Sequence, residues 1–126
     1  MKWCGLAGLL ILLILMTLTI QAALAKDEPA EFKNESAKIF DILENESTYD
    51  SKMVVVEGKI GLECASGCWF ILLDGATSIY VDILPSNFVI PQKSGSNAKV
   101  YGEVILKNGD PQIIGKIVEI GGEIYQ

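Results

Sequence analysis

MVVVEGKIGL, residues Met53–Leu62, alternates Val54, Val56, Gly58, Ile60 and Leu62 against Val55, Glu57, Lys59 and Gly61. A period of two in β-branched residues predicts a strand. Glycines inside such a run predict a strong bend or a bulge. In a small closed barrel one strand must serve both sheets, and a bent strand suits that task. The sequence downstream agrees. Trp69–Leu73 (WFILL) is an apolar run followed by an Asp74-Gly75 turn. Ile79–Ile83 (IYVDI) sets Ile79, Val81 and Ile83 on one face and Tyr80 and Asp82 on the other. Lys99–Lys107 and Gln112–Ile120 are two further strands, joined by the hairpin signal Asn108-Gly109-Asp110-Pro111. Between the third and fourth strands, Leu84–Asn97 carries Pro85, Pro91 and a polar Lys-Ser-Gly-Ser-Asn cluster, with a helical turn expected near Pro85–Phe88. Five strands with one longer interruption predict an all-β, five-stranded Greek-key barrel.

Upstream, Ser36–Glu44 places Ile39, Phe40, Leu43 and Ile42 at helical spacing, with Ser36 available as N-cap. This predicts one short N-terminal helix, ended by the turn-like Asn45–Ser51. Lys26–Lys33 is charged, holds Pro29 and lacks periodicity, so residues 26–35 read as a flexible linker ahead of a barrel domain at 36–126. Met1–Ala25 has the order of an export signal: Lys2, an apolar run from Gly5 to Ile20, then Ala23-Leu24-Ala25 and a polar start. An uncleaved anchor is the competing reading, because Trp3–Ala25 could span about 30 Å of hydrocarbon. Either way the domain is expected outside the cytoplasm, secreted or membrane-anchored. In an exported chain the sequons at Asn34 and Asn45 are candidate glycosylation sites.

The 126 residues hold one domain, with ten basic residues, sixteen acidic ones and a net charge of −6. Neither histidine nor arginine occurs. The first absence excludes Ser-His-Asp, Cys-His and His-ligated metal chemistry. The second removes the usual fork for phosphate or carboxylate. An acidic chain repels nucleic acid overall.

Val54–Ile60, Glu63-Cys-Ala-Ser-Gly-Cys-Trp-Phe70, Ile79–Asp82 and Val100-Tyr-Gly-Glu-Val104 together resemble small OB-fold families. Those most similar are uncharacterised exported or lipid-anchored OB domains with a Cys-x3-Cys-Trp segment. The entry Ile39–Gly58 also resembles OB domains related to tRNA-anticodon-binding ones. The resemblance covers residues 36–120 and implies an OB fold and an extracytoplasmic setting, without an activity.

Cys64 and Cys68 bracket Ala65-Ser66-Gly67 in the turn between the first two strands. A structural disulfide is one reading, favoured by an oxidising compartment and worth only about 2 kcal/mol for so short a loop. A soft-metal dithiolate is another, with Glu63, Asp74 or Asp82 as conceivable further ligands. A redox-active pair is a third, and Glu63 beside it argues against thiolate chemistry. The disulfide is the reading adopted; no metal or cofactor is expected.

OB folds use the face of strands two and three, with the flanking loops, as the ligand surface. Tyr80 is expected on that outer face. Trp69 is ambiguous, since WFILL has no polar residue to set its phase. If Phe70 and Leu72 point inward, Trp69 joins Tyr80 in an aromatic platform; packing over the cysteines or into the barrel end is the more ordinary expectation. The candidate ligand surface is therefore Ser66, Gly67, Trp69, Tyr80 and the Asn108, Gly109, Asp110 turn. Asp74, Asp82, Glu103 and Asp110 occupy turns or solvent faces with no spacing that selects an acid–base pair. The expectation is a binding module and not an enzyme. Its ligand would be a protein or a small neutral molecule. Oligonucleotide binding is the alternative, and metal handling by Cys64 and Cys68 a third.

Overall fold

The computed structural model describes residues 28–126. The expected signal or anchor at 1–25 and Cys4 lie outside the described residues. Among the described residues no helix is long and apolar enough to cross a membrane.

Among the described residues, six strands follow two short α-helices. The helices are α1 (Ile39–Glu44) and α2 (Glu46–Tyr49). The strands are β1 (Met53–Glu63), β2 (Trp69–Asp74), β3 (Thr77–Asp82), β4 (Asn97–Lys107), β5 (Asp110–Ile120) and β6 (Glu123–Tyr125). β1 bridges the two halves of the barrel as its glycines predict. Met53–Lys59 pairs antiparallel with β4, whereas Lys59–Glu63 pairs with β2 across a register shift between Ile60 and Glu63. A Cβ on Gly58 would come 2.4 Å from the Leu73 carbonyl oxygen, so the crossing strands touch where only glycine leaves room. β3 closes the barrel on β5 in parallel, through Tyr80–Gln112, Val81–Ile113 and Asp82–Ile114. The barrel is thus closed, mixed and five-stranded, in the order β1-β2-β3-β5-β4. β6, folded back on β5 after Gly121-Gly122, is an addition that its three residues are too few to announce by periodicity.

The alternation read from the sequence governs burial as far as Ile60; beyond it the register shift against β2 leaves Leu62, expected on the inner face, 76% exposed. Val54, Val56, Ile60, Phe70, Leu72, Val81, Val100, Val104 and Ile113 fill the interior. Each large side chain among them contributes about 1.5–3 kcal/mol over its exposed state. Ile39 and Ile42, one helical turn apart on α1, are fully buried in the same core. The helix is shorter than expected, because Ser36 forms a parallel bridge with Val55 instead of an N-cap. Phe40, expected on the apolar face, is 56% exposed, since the Ile39–Ile42 pair defines the inward side. Asn45–Ser51 is likewise more ordered than a turn and includes α2.

Residues 30–33, expected to be linker, form a 3-10 turn. Phe32 buries itself against Val55 and Ile117, with Tyr101 packed alongside, on the outer wall of β1, β4 and β5. Val55 N–H donates to the Glu35 carbonyl and Ala37 N–H to the Val55 carbonyl, so residues 35–37 extend the free edge of β1. Lys99 lies over the Phe32 ring and binds the Glu28 carboxylate, which holds its ammonium above the usual lysine range. The segment is a strap and not a stalk.

Candidate functional site

β2 and β3 are paired so that Trp69 faces Asp82 and Ile71 faces Tyr80. Phe70 and Leu72 are fully buried. Strand alternation then turns Trp69, Ile71 and Leu73 outward. Packing of Trp69 into the barrel end is therefore corrected: it shares the outer face with Tyr80. The two rings stack with centroids 5.5 Å apart and planes 26° from parallel. Both are half-buried, a geometry in the favoured offset-stacked range. On the β5 side, Gln112 and Ile114 pair with Tyr80 and Asp82 and extend the same face. The chain pattern of β5 did not single these two out, because only the parallel closure brings them there.

The loop between β1 and β2 adjoins this face at the β3 end, where Ile83 N–H donates to the Cys68 carbonyl. Cys64 and Cys68 are free thiols with sulfurs 2.8 Å apart, beyond the roughly 2.05 Å of a disulfide. Cys68 Sγ–H donates to Cys64 Sγ, and Ser66 Oγ lies 3.0 Å from Cys64 Sγ and 3.6 Å from Cys68 Sγ. Hydrogen bonding from Cys68 first, then Ser66, lowers the Cys64 pKa to about 6. The expectation that Glu63 would oppose thiolate formation fails. Its carboxylate is turned to the β3–β4 connection, where it accepts from Lys93 N–H at 3.0 and 3.1 Å and Ser94 N–H at 2.8 Å. Partial burial, then the charges of Asp82, Cys68 and Cys64, raise the Tyr80 pKa, which ties the ring and the thiols into one neighbourhood.

The loop is held from behind. Gln92 Nε2 donates to the Cys64 and Ala65 carbonyls at 2.8 and 3.0 Å. Ile90 N–H donates to the Gly67 carbonyl. Gly67, expected at the ligand surface, is buried beneath that connection and shapes the loop instead. Ser66 is exposed at the tip. Gln92 has no signal in the sequence, since nothing in a polar connection says which carbonyl it will reach.

The Asn108-Gly109 tip is exposed, with φ of 54° and 84°. β5 meets β3 first at Tyr80–Gln112, so Asn108–Asp110 lies level with the start of β3, at the end remote from the cysteines. The expected surface is thus split, and the turn does not join Ser66. Asn34 and Asn45 are exposed, and their Nδ2 atoms donate to the Glu31 and Asp41 carbonyls at 2.9 and 3.0 Å. A cleft of about 640 Å³ opens elsewhere, between the strap and the barrel end, lined by Lys38, Glu57, Asp74, Lys99 and Glu119. Its charges are mixed, and Lys99 Nζ lies 3.5 Å from Glu57. Among the described residues no group of three or more potential ligands could hold a metal ion.

This strand order and this closure define an OB-fold protein. The hypothetical protein ygiW from E. coli has a similar structure, with a TM-score of 0.52 and 20% identity over 70% of this chain and 91% of that one. A chain described as an aspartyl-tRNA synthetase from Leishmania major Friedlin also matches, with a TM-score of 0.54 and 12% identity. That match covers 76% of this chain but 22% of the synthetase chain. At these identities the likeness is one of fold, and ygiW brings no ligand or catalytic activity with it. No protein-family model and no curated protein matches the sequence.

Proposed function

We propose that the chain is an extracytoplasmic OB-fold binding module, not an enzyme, that stacks a flat uncharged ligand on the Trp69–Tyr80 platform. The ligand is a small neutral molecule or a ring offered by a protein partner. The observation that supports this reading is the half-exposed stack on the outer face of β2 and β3, continued by Ile71. Export rests on the leader pattern of Met1–Ala25. A charge of −6 without arginine favours a neutral ligand over a polyanion.

Trp3 and Trp69 are the two tryptophans of the chain, so a Trp3→Phe variant makes Trp69 a single reporter. Titration with neutral oligosaccharides and aromatic peptides should change its fluorescence, insensitively to salt, and Tyr80→Ala should weaken binding about tenfold, the ~1–3 kcal/mol of one stacking contact. Binding of oligothymidylate that collapses with added salt would instead establish the oligonucleotide alternative. Silence with every probe sinks the platform reading.

A further inference from the structure

We infer that Cys64 and Cys68 are a thiol–disulfide exchange pair, with Cys64 as the attacking sulfur, Cys68 as the resolving one, and a small-molecule or protein disulfide as co-reactant. Three observations carry this. The two sulfurs already lie 2.8 Å apart, with the Cys68 proton directed at Cys64. Both side chains are partly exposed, on a loop whose tip residues Ala65 and Ser66 are open to solvent. The backbone around them is pinned on both flanks, by Cys64 N–H to the Trp69 carbonyl and Ile83 N–H to the Cys68 carbonyl, and from behind by Gln92. A pair held in this way can gain and lose a bond without moving the strands that carry it.

The donors settle which sulfur attacks. Cys68 Sγ–H donates to Cys64, the Ser66 hydroxyl lies 3.0 Å from the same sulfur and can donate once it is a thiolate, and hydrogen bonds to a thiolate favour it over the thiol. Cys64 thiolate attacks one sulfur of the incoming disulfide, whose S–S bond breaks and expels one thiolate. Cys68 then gives up its proton to that thiolate or to water, and its sulfur attacks Cys64 Sγ. This expels the second thiolate, which takes a proton from water. The two cysteines lose two electrons and the co-reactant gains them, ending as two thiols. The inference is independent of what the aromatic platform binds.

The test uses the full chain in a Cys4→Ser background, which leaves two of the three cysteines. Equilibration with oxidised glutathione should yield a chain lighter by two hydrogens with no glutathione attached, and excess reduced glutathione should reverse it. Cys68→Ser should stop at one glutathione per chain. At pH 6, Cys64→Ser should react about tenfold more slowly than Cys68→Ser, because an ordinary thiol is almost wholly protonated there. Mapping of briefly reacted unsubstituted protein should place the first adduct on Cys64, a readout that needs no variant to fold. Two thiols that stay free, a disulfide that reduced glutathione cannot open, or first adducts on Cys68 would each overturn the inference.

Discussion

A Cβ placed on Gly67 would lie 2.0 Å from the carbonyl oxygen of Ile90. Gly67 also has a φ of +76°. The residue therefore answers two demands at once, a left-handed backbone and a close approach by a second chain segment. Gly67→Ala should cost about 3 kcal/mol or more, from left-handed strain of roughly 1–2 kcal/mol plus the displaced connection. Gly95, with a φ of +84° and open space around its Cβ position, isolates the first term. Gly95→Ala should cost about 1 kcal/mol. Urea midpoints of the two variants measure the difference.

Glu63 ties the β3–β4 connection to β1 through the backbone N–H groups of Lys93 and Ser94. Charge-assisted bonds of this kind are worth about 1.5–3 kcal/mol when shielded, and less at a partly exposed site. Glu63→Ala should lower stability by about 1 kcal/mol. Amide hydrogen exchange should accelerate at Lys93 and Ser94 while the β4–β5 ladder stays protected.

The reduced protein should gain stability as pH rises from about 6 towards 9. Cys64 loses its proton near pH 6 in the folded chain, against 9.0 for the reference thiol. Through that window the unfolded state binds more protons, so raising the pH favours the folded state. The gain is complete above pH 9 and is lost as pH falls through 6. Cys64→Ser should flatten this part of a denaturation-midpoint profile, and Ser66→Ala should move its lower edge upward. An unchanged profile in Cys64→Ser would assign the slope to other groups.

Phe32 is the anchor of the strap, buried with Val55 and Ile117 outside the barrel. Phe32→Ala should cost about 2–4 kcal/mol, below the range for a fully enclosed aromatic because the barrel core is untouched. Proteolysis should then cut within residues 28–35 while the barrel survives intact.

The strand framework was legible because alternation along Val54–Ile60 and IYVDI is a local signal that the barrel then obeys, whereas the bulge that turns Leu62 outward depends on the pairing with β2. The Asn108-Gly109 hairpin was legible for the same reason, its turn chemistry being written in two residues. WFILL carried no phase, so only the packed barrel could choose Phe70 and Leu72 for the inside and leave Trp69 outside. Gly67 and Glu63 were misread because their partners, Ile90 and the Lys93–Ser94 backbone, lie over twenty residues away. Phe32 was lost among charges, since a single aromatic in a polar stretch has no period.

The strap also fixes a direction. Phe32 and Glu35 fasten the segment to the β1–β4–β5 wall, whereas the stacked rings occupy the wall of β2 and β3. The described chain thus begins on β4, where Glu28 binds Lys99, and not on the strands that carry Trp69 and Tyr80.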